Sequence, residues 1–110
     1  MLIQVNTGHN IEGKEPLADW VRGVVESALV GESEHITRIE VHLTDQNSDK
    51  KDGVNDKRCV MEARIEGRQP IAVTEQAATV HDAVVTAADK LARLIEHTLE
   101  RVNDSRNRAT

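Results

Sequence analysis

The chain has 110 residues, of which 38% are hydrophobic and 30% charged, and its formal net charge is −5. These values are typical of one ordered domain with a modest core, and they argue against both a disordered chain and a strongly basic domain that coats nucleic acid. No apolar run approaches the roughly 18 residues of a membrane helix, no signal peptide is predicted, and the single Cys59 suits a reducing compartment, so we expect a cytoplasmic protein.

The first third of the chain predicts a strand followed by a helix. The segment LIQVNT alternates apolar and polar residues, as a half-buried strand does. Pro16 then fits the first turn of a helix, where its missing N–H group is not needed, and Gly31 is a natural end for that helix. Between them, apolar residues recur at helical spacing at Leu17, Val21, Val24, Val25 and Ala28.

Three further strands are predicted in the middle of the chain. ITRIEVHLTD alternates cleanly, with Ile39, Val41 and Leu43 on one face, which indicates a strand with one buried side. The polar residues 46–56 predict a loop, and IAVTE, after the turn GRQP, is a fourth strand that ends near Gln76. In the third strand, RCVMEARIE, the residues expected to face inward are Cys59, Met61, Ala63 and Ile65.

A long helix is predicted from Ala77 to about Val102, with separate apolar, acidic and basic sides. Residues three and four apart are neighbours on a helix surface, so the basic residues form a stripe. We define the basic stripe as Lys90, Arg93, His97 and Arg101. Residues 1–89 have a net charge of −7, whereas five basic and three acidic side chains give residues 90–110 a net charge of +2.

The predicted element order is therefore β-α-β-β-β-α, in an α+β fold. A four-stranded mixed sheet with both helices packed on one face would bury every apolar side. The first two strands should be parallel, with a right-handed crossover, and the other pairs antiparallel. We expect one domain at residues 1–103 and a frayed tail at residues 104–110.

The residues alone leave two interpretations of the basic stripe. The stripe could contact phosphates, with a steep salt dependence, or it could be a solvated helix face whose cations favour the negative C-terminal end of the helix. Because Trp20 is the only aromatic residue, RNA binding would use phosphates, sugars and shape rather than base stacking.

Other candidate sites are weaker. A second basic cluster surrounds the third strand, where we expect cross-strand charge pairs with Glu40 and Glu62. The five histidines and Cys59 lack metal-ligand spacing, and no nucleophile motif or glycine-rich phosphate loop is present. We therefore expect no metal, no cofactor and no enzymatic activity. The second basic cluster consists of Lys57, Arg58, Arg64 and Arg68.

The element order, the segment KRCVMEARIEGRQPIAV and DKLAR on the last helix resemble the ribosome hibernation-promoting factors, a family that includes the ribosome-associated inhibitors. The resemblance covers roughly residues 2–102 and is closest to the short, single-domain form. It implies a cytoplasmic, non-enzymatic factor of stationary phase or stress. Such a factor binds the small ribosomal subunit where mRNA and tRNA pass, inhibits translation and preserves idle ribosomes.

The resemblance also implies which residues would contact ribosomal RNA phosphates. Lys90 and Arg93 lie at basic family positions inside DKLAR, and His97 and Arg101 stand where the family commonly has lysine or arginine. Arg22 would contribute from the first helix, which otherwise carries Glu15, Asp19 and Glu26. The alternative is an acidic protein-interaction module on the same fold that has lost ribosome binding. The exposed sheet face could also pair two copies in a weak homodimer.

Overall fold

The protein is described here by a computed structural model that covers residues 1–8, 11, 13–45 and 56–109, the last ten as backbone only. The element order is β-α-β-β-β-α with one short 3₁₀ helix, at Val30–His35, before the second strand, so the predicted α+β fold is confirmed. The strands are β1 (Leu2–Thr7), β2 (Ile36–Asp45), β3 (Lys57–Ile65) and β4 (Ile71–Ala77), and the helices are α1 (Lys14–Ala28) and α2 (Val80–Ala109).

The four strands form one mixed sheet in the order β1-β2-β3-β4. As predicted, β1 and β2 are parallel, because α1 carries the chain back between them, and the β2–β3 and β3–β4 pairs are antiparallel. The register places Val5, Val41, Met61 and Val73 side by side across the sheet. This apolar row faces the helices and fixes the register, since a shift by one residue would turn every apolar side chain outward.

Both helices cover the same face of the sheet, and the core lies between them and the strands. Val21 and Val25 are the buried contribution of α1. From α2, Leu91 and Ile95 are fully buried, and each burial contributes about 1.5–3 kcal/mol. The predicted inward residues of β2 and β3 are all buried: Ile39, Val41, Leu43, Cys59, Met61, Ala63 and Ile65.

The ends of α2 differ from the prediction. The helix begins at Val80 rather than Ala77, because Ala77 still pairs with Lys57 in the sheet. Thr79 marks the start, since its Oγ1 accepts a hydrogen bond of 3.1 Å from the N–H of Asp82. At the other end α2 continues to Ala109, through most of the segment predicted to be a frayed tail. The domain limit at residue 103 stays a prediction.

No helix in the described part of the chain is both long enough and apolar enough to cross a membrane. The two helices form one layer that covers a single face of the sheet. The outer side of the helices and the far side of the sheet are its two broad exposed surfaces.

Candidate nucleic-acid interface

The basic stripe lies on the solvent side of α2. Lys90, Arg93 and His97 are all exposed, while the opposite side of the same helix is buried through Leu91 and Ile95. The helix is thus fixed by its apolar side and holds the charged side chains outward. Arg101 belongs to α2, but its side chain lies outside the described residues, so its part in the stripe stays a prediction.

Arg93 has a carboxylate partner on its own helix. Its Nη2 lies 3.0 Å from Oδ2 of Asp89, one helical turn earlier, and the two side chains are 74% and 58% exposed. Such an exposed i, i+4 pair contributes only about 0.3–0.5 kcal/mol, because water screens it and two long side chains lose freedom. The guanidinium is therefore accessible to an external anion, but it already has a counter-ion.

Lys90 has a different kind of partner. Its Nζ forms an ion pair with Oε1 of Glu75, which belongs to β4 and whose side chain is only 15% exposed. The register places Glu75 opposite Cys59, on the sheet face that the helices cover. Lys90 therefore leans toward β4 and ties the helix to the edge of the sheet.

The Lys90–Glu75 ion pair was not predicted from the sequence. The signal was present in IAVTEQA, where alternation puts Glu75 on the same face as Ile71 and Val73. A carboxylate on the covered face of a sheet needs a cation or hydrogen-bond donors nearby, because an unpaired buried charge is costly. The identity of that cation depends on how α2 crosses β4, which the sequence does not give.

Arg22, the predicted contact from the first helix, lies on the exposed side of α1. Its Nη1 is 3.0 Å from Oδ1 of Asp19, three residues earlier, and the side chains are 44% and 79% exposed. This pair has the same local character as the Arg93–Asp89 pair. Each helix thus carries one exposed arginine with a carboxylate from the preceding turn.

The two aspartates line the same shallow groove. This groove, of about 700 Å³, runs between α1 and α2 and includes Asp19 on one side and Asp89 on the other. Its floor consists largely of small residues, among them Gly23, Ala88 and Ala92. The structure therefore brings Asp19 and Asp89, the partners of Arg22 and Arg93, to opposite walls of one groove, which the sequence did not predict.

The exposed face of the sheet also carries arginines and glutamates, but in a different arrangement. Arg38 pairs with Glu40 at 3.2 Å and Arg64 pairs with Glu62 at 3.4 Å, in each case two residues along the same strand. Across the strands, Arg38 lies opposite Arg64 and Glu40 lies opposite Glu62. The prediction of cross-strand charge pairs with Glu40 and Glu62 was therefore wrong, since the ion pairs run along the strands.

Lys57, predicted as part of the second basic cluster, is held by two carboxylates. Its Nζ lies 3.1 Å from Oδ2 of Asp45 and 3.1 Å from Oδ2 of Asp56. The hydrogen bond to Asp45 first, and then that to Asp56, raises the pKa of the Lys57 ammonium above its ordinary value. Its side chain points to the helix-covered side, beside a cavity of about 720 Å³ that Trp20 and His81 also line. Lys57 is thus separated from Arg58 and Arg64, which face the other side.

Cys59 is a core residue, as predicted. It is fully buried, and burial, with a smaller contribution from the charge of Glu75, raises the pKa of its thiol to about 12. The thiol is therefore protonated and unreactive at neutral pH. Among the residues that the structure describes, no three His, Cys, Asp or Glu side chains are grouped so that they could hold a metal ion.

Known proteins resemble this chain in sequence pattern and in fold. The model of the family described as "Sigma 54 modulation protein / S30EA ribosomal protein" matches residues 4–103. The comparison with curated proteins gives no match.

Two solved structures share the fold. The N-terminal domain of Protein Y from Thermus thermophilus is 19% identical, with a TM-score of 0.69 over 89% of this chain and 99% of that one. A ribosomal subunit interface protein from Coxiella burnetii is 17% identical, with a TM-score of 0.64 over 91% of this chain and 99% of that one. At these identities the likeness shows the arrangement of strands and helices alone.

Proposed function

We propose that this chain, which belongs to the sigma 54 modulation protein / S30EA ribosomal protein family, is a cytoplasmic hibernation factor that binds the small ribosomal subunit and inhibits translation. Ribosome association follows from the family. The proposal adds the subunit, the contacts with ribosomal RNA phosphates through Arg22 and the basic stripe, and occlusion of the channel that mRNA and tRNA use. Lys90, which is 58% exposed, would contact phosphate with its remaining N–H donors while it keeps its ion pair with Glu75.

The observation that carries this proposal is the placement of Arg93. Its side chain is 74% exposed, and it projects from a helix whose other side is anchored by the fully buried Leu91 and Ile95. A planar guanidinium can donate two parallel hydrogen bonds to one phosphate, and a fixed helix reduces the entropy lost on binding. Arg22, on the neighbouring helix, offers the same group, and its partner Asp19 lines the groove opposite Asp89.

The mechanism is steric and needs no bond to be made or broken. Phosphate contacts hold a rigid domain in place, and the sheet with its two helices fills space that mRNA or tRNA would need. The net charge of −5 for the whole chain weakens binding to RNA in general. Only an orientation that presents the arginine side to phosphates is favourable, so the charge distribution also sets the orientation of docking.

A double charge reversal tests the proposal. Arg22→Glu with Arg93→Glu replaces two exposed cations whose partners lie on their own helices, so it should leave the fold intact. Lys90 is left unchanged because its reversal would face Glu75 and disturb the contact between α2 and β4. We expect the variant to lose co-sedimentation with purified small subunits.

The matched control is Arg38→Glu with Arg64→Glu, which makes the same change of charge on the exposed sheet face. The control should co-sediment as the parent does. Equal sedimentation of the parent and the Arg22–Arg93 variant, or an equal loss in both double variants, would contradict the proposed contacts. Thermal unfolding of each variant verifies that it is folded.

A protein-interaction module is the second candidate, and the exposed acidic side chains Glu15, Asp19 and Glu26 on α1 favour it. A basic protein partner would bind there with a moderate salt dependence, whereas RNA binding weakens steeply as salt rises. A salt titration of the co-sedimentation therefore separates the two candidates. A weak homodimer through the exposed sheet face is a further proposal, and sedimentation velocity over a range of protein concentrations tests it.

A further inference from the structure

We propose that Asp19 and Asp89 act as built-in competitors of ribosomal phosphates, each occupying its arginine until RNA displaces it. This inference rests on the proposed function, since it concerns the regulation of the same surface. The two aspartates would set the affinity of the protein for the ribosome and keep the two arginines from binding isolated phosphates.

The geometry of the two pairs is matched. Arg22 Nη1 to Asp19 Oδ1 and Arg93 Nη2 to Asp89 Oδ2 both measure 3.0 Å, with one pair on each helix. Both aspartates line the groove between α1 and α2. A carboxylate oxygen offers a guanidinium the same kind of acceptor as a phosphate oxygen does. Each carboxylate therefore competes with an RNA phosphate for the Nη group that it contacts, while the other N–H donors of the guanidinium stay available.

In both pairs an external anion can replace the aspartate as the partner of the arginine. All four side chains are at least 44% exposed, and each aspartate is 58% or more exposed, so water can solvate the carboxylate once its arginine leaves. Exposed pairs of this kind are weak. The contrast is Glu75, which is 15% exposed and lies on the covered side of the sheet. Its release from Lys90 would leave a poorly solvated carboxylate. The Lys90–Glu75 pair therefore stabilises the contact between α2 and β4, and an external anion does not replace Glu75.

The aspartates also remain close after exchange. A phosphate bound by Arg93 would lie a few ångströms from the carboxylate of Asp89, and like charges at that distance repel even near a protein surface. One phosphate alone gains little under these conditions, whereas several phosphates arranged along a folded RNA can displace both pairs together. The aspartates thus favour a site with several suitably spaced phosphates over a single phosphate.

Neutralising the aspartates tests this inference. We expect Asp19→Asn and Asp89→Asn each to bind purified small subunits about two- to fivefold more tightly than the parent at about 0.1 M salt, because each removes a competitor and a repulsive charge. The double variant should bind roughly tenfold more tightly. Binding is measured by co-sedimentation over a range of subunit concentrations, and thermal unfolding verifies the fold.

Two matched controls separate local competition from a general change of charge. Glu15→Gln on α1 and Asp82→Asn on α2 remove the same charge from exposed residues that form no ion pair with any residue in the described part of the chain. At 1.5 Å per residue they lie about 10 Å and 16 Å along the helix axis from Arg22 and Arg93, which is at or beyond a Debye length at 0.1 M salt. Their affinity should therefore stay within about 1.5-fold of the parent.

The outcomes distinguish the two proposals. If the parent binds and the double aspartate variant binds no more tightly than the controls, the competition is refuted and the proposed function stands. If the double variant binds more weakly than the parent, the aspartates assist binding and the inference is overturned. If neither the parent nor the double variant binds small subunits, both proposals fail.

Discussion

The outer surface of α2 and the exposed face of the sheet carry similar residues but differ in their arrangement. On the sheet, a row with Arg38 and Arg64 adjoins a row with Glu40 and Glu62, so opposite charges alternate over short distances. On α2, Lys90, Arg93 and His97 follow one another along one side of the helix. On both surfaces a carboxylate lies beside the cations, since Lys90 pairs with Glu75 and Arg93 with Asp89, so the charges are compensated locally in both places. The surfaces differ in exposure, because the Arg93 side chain is 74% exposed, against 40% for Arg38 and 56% for Arg64. The exposure of the arginines, more than their number, therefore distinguishes the proposed interface from the sheet face.

The largest effect is expected from the buried side of the helix that supports the stripe. Leu91 is fully buried, so Leu91→Ala should lower the free energy of unfolding by about 2–5 kcal/mol. Leu94 is 44% exposed on the same helix, and Leu94→Ala should cost less than about 1 kcal/mol. Chemical denaturation measures both. Similar losses would mean that α2 is not anchored through the side that the structure buries.

The second-largest change in the free energy of unfolding is expected when the Lys90–Glu75 pair, rather than the Arg93–Asp89 pair, is broken. Glu75→Gln removes the partner of Lys90 at a partly buried position, and we expect a loss of about 1 kcal/mol in the free energy of unfolding. Asp89→Asn breaks an exposed pair within one helix and should cost less than about 0.5 kcal/mol. Thermal unfolding of the two variants ranks them. A reversed order would remove the distinction between a structural pair and an exchangeable one.

Burial of Cys59 on the covered face of the sheet should make the free energy of unfolding depend on pH. Burial raises the pKa of the Cys59 thiol to about 12 in the folded state, whereas an unfolded thiol titrates near 8.5. Above roughly pH 8.5 the unfolded chain loses a proton that the folded chain keeps, so the free energy of unfolding falls as the pH rises toward 12. Denaturation midpoints between pH 8 and 10 should fall less steeply in Cys59→Ala than in the parent. Parallel pH profiles would contradict the burial of the thiol.

The smallest effect is expected on the exposed sheet face. Arg64 is 56% exposed and lies opposite Arg38, so Arg64→Gln removes a weak ion pair and a like-charge contact at once. The free energy of unfolding should change by less than about 0.5 kcal/mol, and binding to small subunits should not change. A clear loss of ribosome binding in this variant would make the sheet face part of the interface.

The sequence predicted the fold well because the fold depends on periodicity. Alternation in β2 and β3 marked seven residues that are buried beneath the helices, since a strand with one solvent-exposed face has only one side to bury. It did not mark Ile36, which is also buried, or Lys57 on the helix-covered side. The start of α2 was placed too early because alanine favours a helix, whereas the pairing of Ala77 with Lys57 is a tertiary contact that overrides this preference.

The candidate site was predicted only in part. The positions of Lys90, Arg93 and His97 on one side of a helix follow from their spacing, and the local pair of Arg93 with Asp89 obeys the same rule. The Lys90–Glu75 pair and the shared groove of Asp19 and Asp89 could not be predicted, because they depend on how α2 packs against β4 and α1.

The salt dependence of binding to small subunits tests the central claim most directly, namely that Arg93 contacts ribosomal phosphate. Each phosphate contact contributes about −0.7 to −0.9 to the slope of log K against log salt concentration. Arg93→Gln should therefore make the slope shallower by roughly this amount, while Arg64→Gln leaves the slope of the parent unchanged. A slope that Arg93→Gln does not alter, or that both variants alter equally, would contradict the account.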